Sequence, residues 1–489
     1  MTVGGPSLPD IAWTMLNGGL ALYRDNPRAT NWLRHHLDRF EEPLRIAVAG
    51  PAGTGKSTLV NALVGEEIAP VGVPGRQAST WFRDAAETRA QVFPVHGQAG
   101  EAVVAKVDSR LVVDLRDWRA DQIGQVVVDL PTRALRDLVL IDTPAIEQDA
   151  VGPDPAAAAT AAIGRIARQA DGLVYLARHG VNSDLERLRA AQADPVARAS
   201  AVNTILVLAK GDEIGGGRID ALTSAKQVAR RYRGDVLLRE VCQDVIAIAG
   251  LIAQAGRTLR DAEYTALGAL ATVDKTVLDD ILRSADRFIG AELSIGVEAP
   301  VRHELFDRFG LFGLRLTTTL LRRGYDNQVA LAAQLVQRSG LRELRESIGQ
   351  QFVERQDVLK ARSALLGLET TLRSDPRPQA RRLAADLERA LAGAHDFREL
   401  RLLATLRAGR LKLPEELDAE AHRLVGGQGT SFPARLGLAP DAVGGEVRAA
   451  LFDALQRWQR QAQSPVWSSE QRRAAQTVVR SCEGMLAGG

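Results

Sequence analysis

The sequence has little cysteine, no long apolar run and almost no net charge. Two cysteines, Cys242 and Cys482, stand far apart in 489 residues. Neither has a CxxC partner, which excludes a zinc ribbon and a disulfide framework and predicts a reducing compartment. No stretch reaches the roughly 18 apolar residues that span a bilayer, so any membrane contact is expected to be peripheral. The amino terminus, MTVGGPSLPDIAWTML, carries no basic region before an apolar core and reads as no signal peptide. The expectation is a cytoplasmic protein, peripheral at the inner face of the plasma membrane at most. A formal net charge of +2 is too small for a footprint on duplex nucleic acid, and no nucleic-acid partner is expected. The adjacent His35 and His36 belong to no HExxH pattern and read as a surface-helix pair, not a metal site.

What is present is alternation. Residues 8–41 read as helices broken at Asp25-Asn26-Pro27. Then come LRIAVAG at 44–50, DLVLIDTP at 137–144, GLVYLA at 172–177, TILVLAK at 204–210 and DVIAIAG at 244–250. Runs so continuously apolar are strands buried on both faces of a parallel sheet. Their alternation with helical stretches predicts a doubly wound, mostly parallel α/β domain. Beyond about residue 255 the pattern is helical. One helix is expected from Leu341 to Arg373, about 50 Å long at 1.5 Å per residue. Asp375-Pro376-Arg377-Pro378 should end it. A return helix over 379–408 and two more, over 446–462 and 468–486, are expected to follow. The stripe Leu305, Phe309, Phe312, Leu316 reads as buried packing rather than a membrane wedge.

The chemistry lies in three segments. Gly50-Pro-Ala-Gly-Thr-Gly55-Lys56-Ser57 is a full GxxxxGK[ST] loop between a strand and a helix. Its glycines let backbone N–H groups turn in on phosphate oxygens, Lys56 can reach the β- and γ-phosphates, and Ser57 can bind Mg²⁺. Gly50, Gly53, Thr54, Gly55, Lys56, Ser57 and Thr58 are the candidate phosphate contacts. Asp142, in Asp142-Thr143-Pro144-Ala145, ends an apolar strand and is the second candidate for the Mg²⁺ shell. Ala209-Lys210-Gly211-Asp212 ends another. Lys210 can pack along a flat base, and Asp212 can accept two hydrogen bonds from a guanine edge, which points to GTP over ATP. Ala249 and Gly250, after the last strand, are placed beside the base.

Together these elements resemble a GTPase. The spacing of 86 positions from Lys56 to Asp142, and the helices on either side, resemble the dynamin superfamily. WFR at 81–83, ADGLVYLAR at 170–178, DEIGGGRIDA at 212–221, RFGLFGLR at 308–315 and GTSFPARLGL at 429–438 are similar to the isoniazid-inducible dynamin-like proteins of mycobacteria and related actinobacteria. The likeness is to the second of the two paralogues encoded together there. It implies a Ras-like core over 44–345, with 1–43 and 346–489 forming a helical neck and stalk. It also implies GTP or GDP and Mg²⁺ as ligands, and self-association or pairing with a related dynamin-like protein. Membrane remodelling is implied in turn, with the arginines of 373–382 as the candidate contact for anionic lipid. Four positions depart from the family pattern. Gly53 replaces a serine, Ala145 a glycine and Ala209 an Asn or Thr. Arg76 occupies the expected place of the switch threonine, leaving Ser79 and Thr80 as the nearest hydroxyls, with Thr80 the candidate. The expectation is slow hydrolysis. The alternatives are a GTP-gated scaffold with little membrane activity, and an ATPase, which Lys210 and Asp212 disfavour.

Overall fold

The computed structural model describes residues 7–69, 78–107, 110–146, 155–178, 184, 186, 188, 203–239, 241–290, 295–393, 395–407, 409 and 411–488; Arg76 lies outside them. The strands described form one sheet: β1 Leu44–Ala49, β2 Ser79–Asp84, β3 Arg89–Pro94, β4 Gly100–Val107, β5 Arg110–Asp114, β6 Ile123–Leu130, β7 Leu138–Asp142, β8 Gly172–Ala177, β9 Thr204–Leu208 and β10 Asp244–Ala247. Their spatial order is β10-β9-β8-β1-β7-β2-β6-β3-β4-β5. The five strands anticipated from apolar runs are β1, β7, β8, β9 and β10, and they pair in parallel. Every residue of β1, β8 and β9 is buried. The other five extend the sheet through mostly antiparallel pairs, only β2 and β6 running parallel.

Helices cover both faces. Pro155–Gln169, Ala221–Gly234 and Ala299–Arg322 pack on one, and Phe309, Phe312 and Leu316 are buried there, as their spacing predicts. Lys56–Val64 and Leu341–Gln351 pack on the other. A third core joins Leu8–Leu22 and Pro27–Asp38 to Gln356–Ser374, and a fourth lies within residues 402–485.

The single helix expected over 341–373 is two helices. A 3₁₀ turn at Val353–Arg355 separates Leu341–Gln351 from Gln356–Ser374. Tertiary contacts override the periodicity at this point. The Phe352 ring seats on the start of β8, where a Cβ on Gly172 would lie 2.8 Å from its Cδ2. Arg355 is buried and donates to the Gly426 carbonyl. The return segment expected over 379–408 is helical over Arg381–Gly393 and His395–Arg407. His36 is not on the surface. It is buried over Gly367, edge-on to Trp32 at 4.7 Å, and burial drives its pKa down to about 3.

At the N-terminal ends of β1 and β8, Asp171 joins neck to sheet. Arg39 donates to its Oδ1, Ser363 Oγ to the same oxygen at 3.1 Å and the Arg45 N–H to Oδ2 at 3.0 Å. The turn after Ser374 is also closed. Arg377 donates to Asp25 at 2.5 Å, to Asp375 at 2.9 Å and to the Leu22 carbonyl at 2.8 Å, and it stacks over Tyr23 at 4.5 Å. It is therefore a fastening of the neck and not a free cation for lipid.

Candidate functional site

The loop leaving β1 turns through positive φ at Gly50 (146°), Gly53 (67°) and Gly55 (87°), a region only glycine enters without strain. Gly55 starts the helix Lys56–Val64 with no side-chain cap, so the first helical N–H groups stay available to an anion. Thr54 Oγ1 donates to the Pro51 carbonyl at 2.9 Å and fixes the crown of the loop. Lys56 is buried beneath it, its Nζ donating to the carbonyls of Gly50 and Pro51, each at 3.0 Å.

β7 lies beside β1 with Asp142 level with Val48, so the carboxylate arrives at the same end. Ser57 Oγ donates to Asp142 Oδ2 at 2.7 Å. Two hard oxygen donors meeting here fit a Mg²⁺ ion, which takes few protein ligands and keeps its waters. Thr143 Oγ1 donates to the Val48 carbonyl at 3.0 Å and pins the following residue.

At the other end, Lys210 follows β9 with φ 55°, alone among the described non-glycine residues in having positive φ. Such geometry costs roughly 1–3 kcal/mol and marks a constrained turn. Its Nζ pairs with Glu213 at 2.6 Å. Asp212 is 8% exposed, and burial pushes its carboxyl above the usual range. The Gly211 N–H reaches the Ile248 carbonyl at 2.9 Å and the Ala249 N–H reaches Ser339 at 3.0 Å, tying this turn to the start of the helix Gly250–Arg257.

Residues 52–59, 142–145, Lys210, Asp212 and Gly250 line one cavity of about 410 Å³. It thus brings together the three segments that the sequence singles out. Gly50 and Ala249 are not in its lining; they shape it through the backbone contacts above. Thr80 stands apart: it is buried within β2, in register with Asp142, and Ala78 lines the cavity instead. Ala145 is buried and outside the left-handed region. Sequence reasoning missed Thr143 and Arg178. Arg178, the first residue after β8, donates from Nη2 to the Ala52 carbonyl at 3.1 Å. Its signal was a lone charge closing an apolar strand.

No family model matches the chain. Two relatives, each the isoniazid-induced protein IniC of Mycobacterium tuberculosis, from strains CDC 1551 / Oshkosh and ATCC 25618 / H37Rv, are 37% identical over 450 residues. The match covers 92% of this chain and 91% of theirs. A solved structure described as an oligomerised bacterial dynamin pair, with a mechanism for long-range sensing and tethering of membranes, aligns with 100% of this chain and 80% of its own, at 14% identity and a TM-score of 0.33. A second of the same description aligns at 12% identity, covering 99% and 75%, with a TM-score of 0.29. By the identity and coverage of the IniC proteins, the chain belongs to their isoniazid-induced family, the dynamin-like family that its motifs resemble.

Proposed function

We propose that this protein binds GTP with Mg²⁺, hydrolyses it slowly, and couples nucleotide state to association, with itself or a related dynamin-like protein, at an anionic membrane surface. The observation that carries this reading is the single cavity uniting the glycine loop, the Ser57–Asp142 pair and the Lys210–Asp212 turn. The loop N–H groups and Lys56 hold the phosphates. Ser57 and Asp142 would hold Mg²⁺, which when bound neutralises charge on the β- and γ-phosphates. Ionised Asp212 accepts the two N–H groups of the guanine edge, and the Lys210 stem lies along the base.

Slow turnover follows from two residues. The Cβ of Ala145 restricts a loop that glycine would leave free. Thr80 is buried away from the cavity, so the attacking water is less well fixed, and positioning is most of what phosphoryl transfer needs. At the membrane, Arg381 and Arg382 are exposed while Arg373 pairs with Glu369. Each exposed arginine contributes about 1 kcal/mol near an anionic surface. Among the described residues no helix is long and apolar enough to cross a membrane.

Competition of GTP, ATP and XTP for a fluorescent guanine nucleotide tests the reading. GTP should outcompete ATP at least tenfold, and equal affinities would refute guanine recognition. The burial of Thr80 also favours a second reading, a GTP-gated scaffold that barely turns over. Turnover stimulated by anionic vesicles supports the enzyme; GTP-dependent partner binding with no vesicle co-sedimentation supports the scaffold.

A further inference from the structure

We infer that Arg178 is an arginine finger supplied in cis, which meets the γ-phosphate as charge grows on it and stabilises the transition state of GTP hydrolysis. The inference rests on the GTPase reading above and names a catalytic group within it.

The geometry comes first. β8 pairs with β1 in parallel, Tyr175 level with Ala49, so the two strands end side by side. The glycine loop leaves one and Arg178 follows the other. Gly50 has no side chain, and its backbone packs against the Leu176 carbonyl. That contact carries Arg178 over the crown of the loop. Its Nη2 donates to the Ala52 carbonyl at 3.1 Å, and a Cβ built on Gly53 would lie 2.6 Å from the same nitrogen.

The bonding comes second. The guanidinium is exposed, and among the described residues no carboxylate pairs with it. Its acceptor is one neutral carbonyl. A phosphate oxygen accepts a stronger, charge-assisted bond and suits the guanidinium fork. Arg178 is thus parked beside the phosphate site on a contact that the transferring phosphoryl group, with its growing charge, outcompetes.

The bareness of the loop comes third. Ala52 and Gly53 offer no polar side chain to a γ-phosphate. Of the lysines lining the cavity, Lys56 lies beneath the loop and Lys210 lies at the base end, paired with Glu213. Arg178 adds a second cation at the crown, above Lys56. Gly53, already required by its positive φ, also makes room for it. A Cβ at this position would crowd Nη2 at 2.6 Å, so the bare backbone of Gly53 leaves the guanidinium its place.

In the reaction, the oxygen of water bonds to the γ-phosphorus. The bond from that phosphorus to the bridging oxygen breaks, GDP leaves with the electron pair, and the water proton ends on the released phosphate. Charge grows on the bridging and γ oxygens. Arg178 stays protonated throughout, donates hydrogen bonds to those oxygens and transfers no proton. An arginine in this role is worth about 10³–10⁵-fold in turnover.

The test uses the full chain and the variants Arg178→Ala and Arg178→Lys. Three quantities are read: affinity for a fluorescent GTP analogue, single-turnover hydrolysis of GTP, and capture of GDP by aluminium fluoride, which mimics the transferring phosphoryl group. Arg178→Ala should keep GTP affinity within about threefold, hydrolyse about 10³-fold more slowly and fail to capture GDP with aluminium fluoride. Arg178→Lys should recover only a small part. If Arg178→Ala loses affinity and turnover in parallel, the residue is structural and the inference fails. If it hydrolyses and captures as well as the wild type, the finger alone is removed and the GTPase reading stands. If the wild type binds no guanine nucleotide, the GTPase reading falls and the finger with it. Should wild-type turnover lie below detection, aluminium fluoride capture decides: capture lost in Arg178→Ala supports the inference, and no capture by the wild type overturns it.

Discussion

At the phosphate end of the sheet, Lys56 donates to the carbonyls of Gly50 and Pro51 and Arg178, among the described residues, to that of Ala52. At the opposite end, Arg39 is buried against Asp171, and Arg377 is held by Asp25, Asp375 and the Leu22 carbonyl. The two regions gather charge for different purposes. Charges closed on each other fasten the neck to the sheet. A charge resting on a neutral acceptor, as Arg178 does, is open to a ligand of opposite sign. Removing a charge should therefore cost stability in the neck, and ligand affinity (Lys56) or turnover (Arg178) in the cavity, with little crossover.

The largest effect is expected at Asp171. Asp171→Ala strands the buried Arg39 guanidinium and should destabilise the fold by about 3–5 kcal/mol. Denaturant unfolding measures it; an unchanged midpoint would mean that Asp171 does not fasten the neck. GTP affinity of the folded fraction should stay within about twofold, since the cavity is at the other strand ends. Lys56→Ala should do the reverse. Losing a charged hydrogen-bond donor to phosphate costs about 1.5–3 kcal/mol of binding, or roughly ten- to a hundredfold in affinity. Calorimetry should show that loss with the unfolding midpoint unmoved, and unaltered affinity would end the glycine-loop assignment.

Asp212 sharpens the contrast because it sets stability against function. Its folded pKa is raised by burial, so the neutral form is favoured on folding. The stability this contributes is present below the unfolded pKa and is lost as pH rises through the folded value. GTP affinity runs the other way and should fall as pH drops through the same raised pKa, because guanine needs the carboxylate. Asp212→Asn should remove both dependences. It should raise the Tm of the ligand-free protein slightly at neutral pH and shift preference from GTP toward XTP. A mutant that keeps its choice of GTP would show that Asp212 does not read the base.

The smallest effect is expected at the turn after Ser374. Arg377→Ala should lower the Tm modestly and leave binding to anionic vesicles unchanged. Arg381→Glu with Arg382→Glu should weaken vesicle binding without moving the Tm, and wild-type binding should fall as salt rises. If Arg377→Ala reduced vesicle binding as much as the double reversal, the division between fastened and open charges would not hold.

The sheet divides in a related way over what its sequence reveals. β1, β8 and β9 are buried on both faces, so they read as unbroken apolar runs. β4 alternates instead, with Val103 and Val107 exposed beside Glu101 and Lys106, and β2 and β3 carry Arg83 and Arg89 at the surface. Half-solvated strands in a mixed extension lack the continuous signal that marked their neighbours. The break at residues 352–355 was hidden for another reason. Phe352 continues the helical stripe while its ring is committed to Gly172, far away in sequence. At the site, the glycine loop and the Lys210–Asp212 turn were legible because fixed spacing places phosphate and base contacts. Arg178 was not, because its meaning depends on β8 lying beside β1. Thr80 lies in β2 outside the cavity lining, and a hydroxyl's nearness to a motif in sequence says nothing about which way a strand turns it.

β8 begins just after Asp171 and ends just before Arg178, so one strand of six residues carries a neck fastening at its start and the proposed finger at its end. Six extended residues reach about 20 Å. The strand is paired in fixed register with β1 on one side and β9 on the other, so it cannot slide. Successive side chains of a strand face opposite ways, and a change of one residue inverts every face beyond it. An insertion or deletion within 172–177 would therefore turn either Asp171 from Arg39 or Arg178 from the loop crown. Substitutions along β8 need only conserve apolar volume, but its length can change by no residue at all without parting the two.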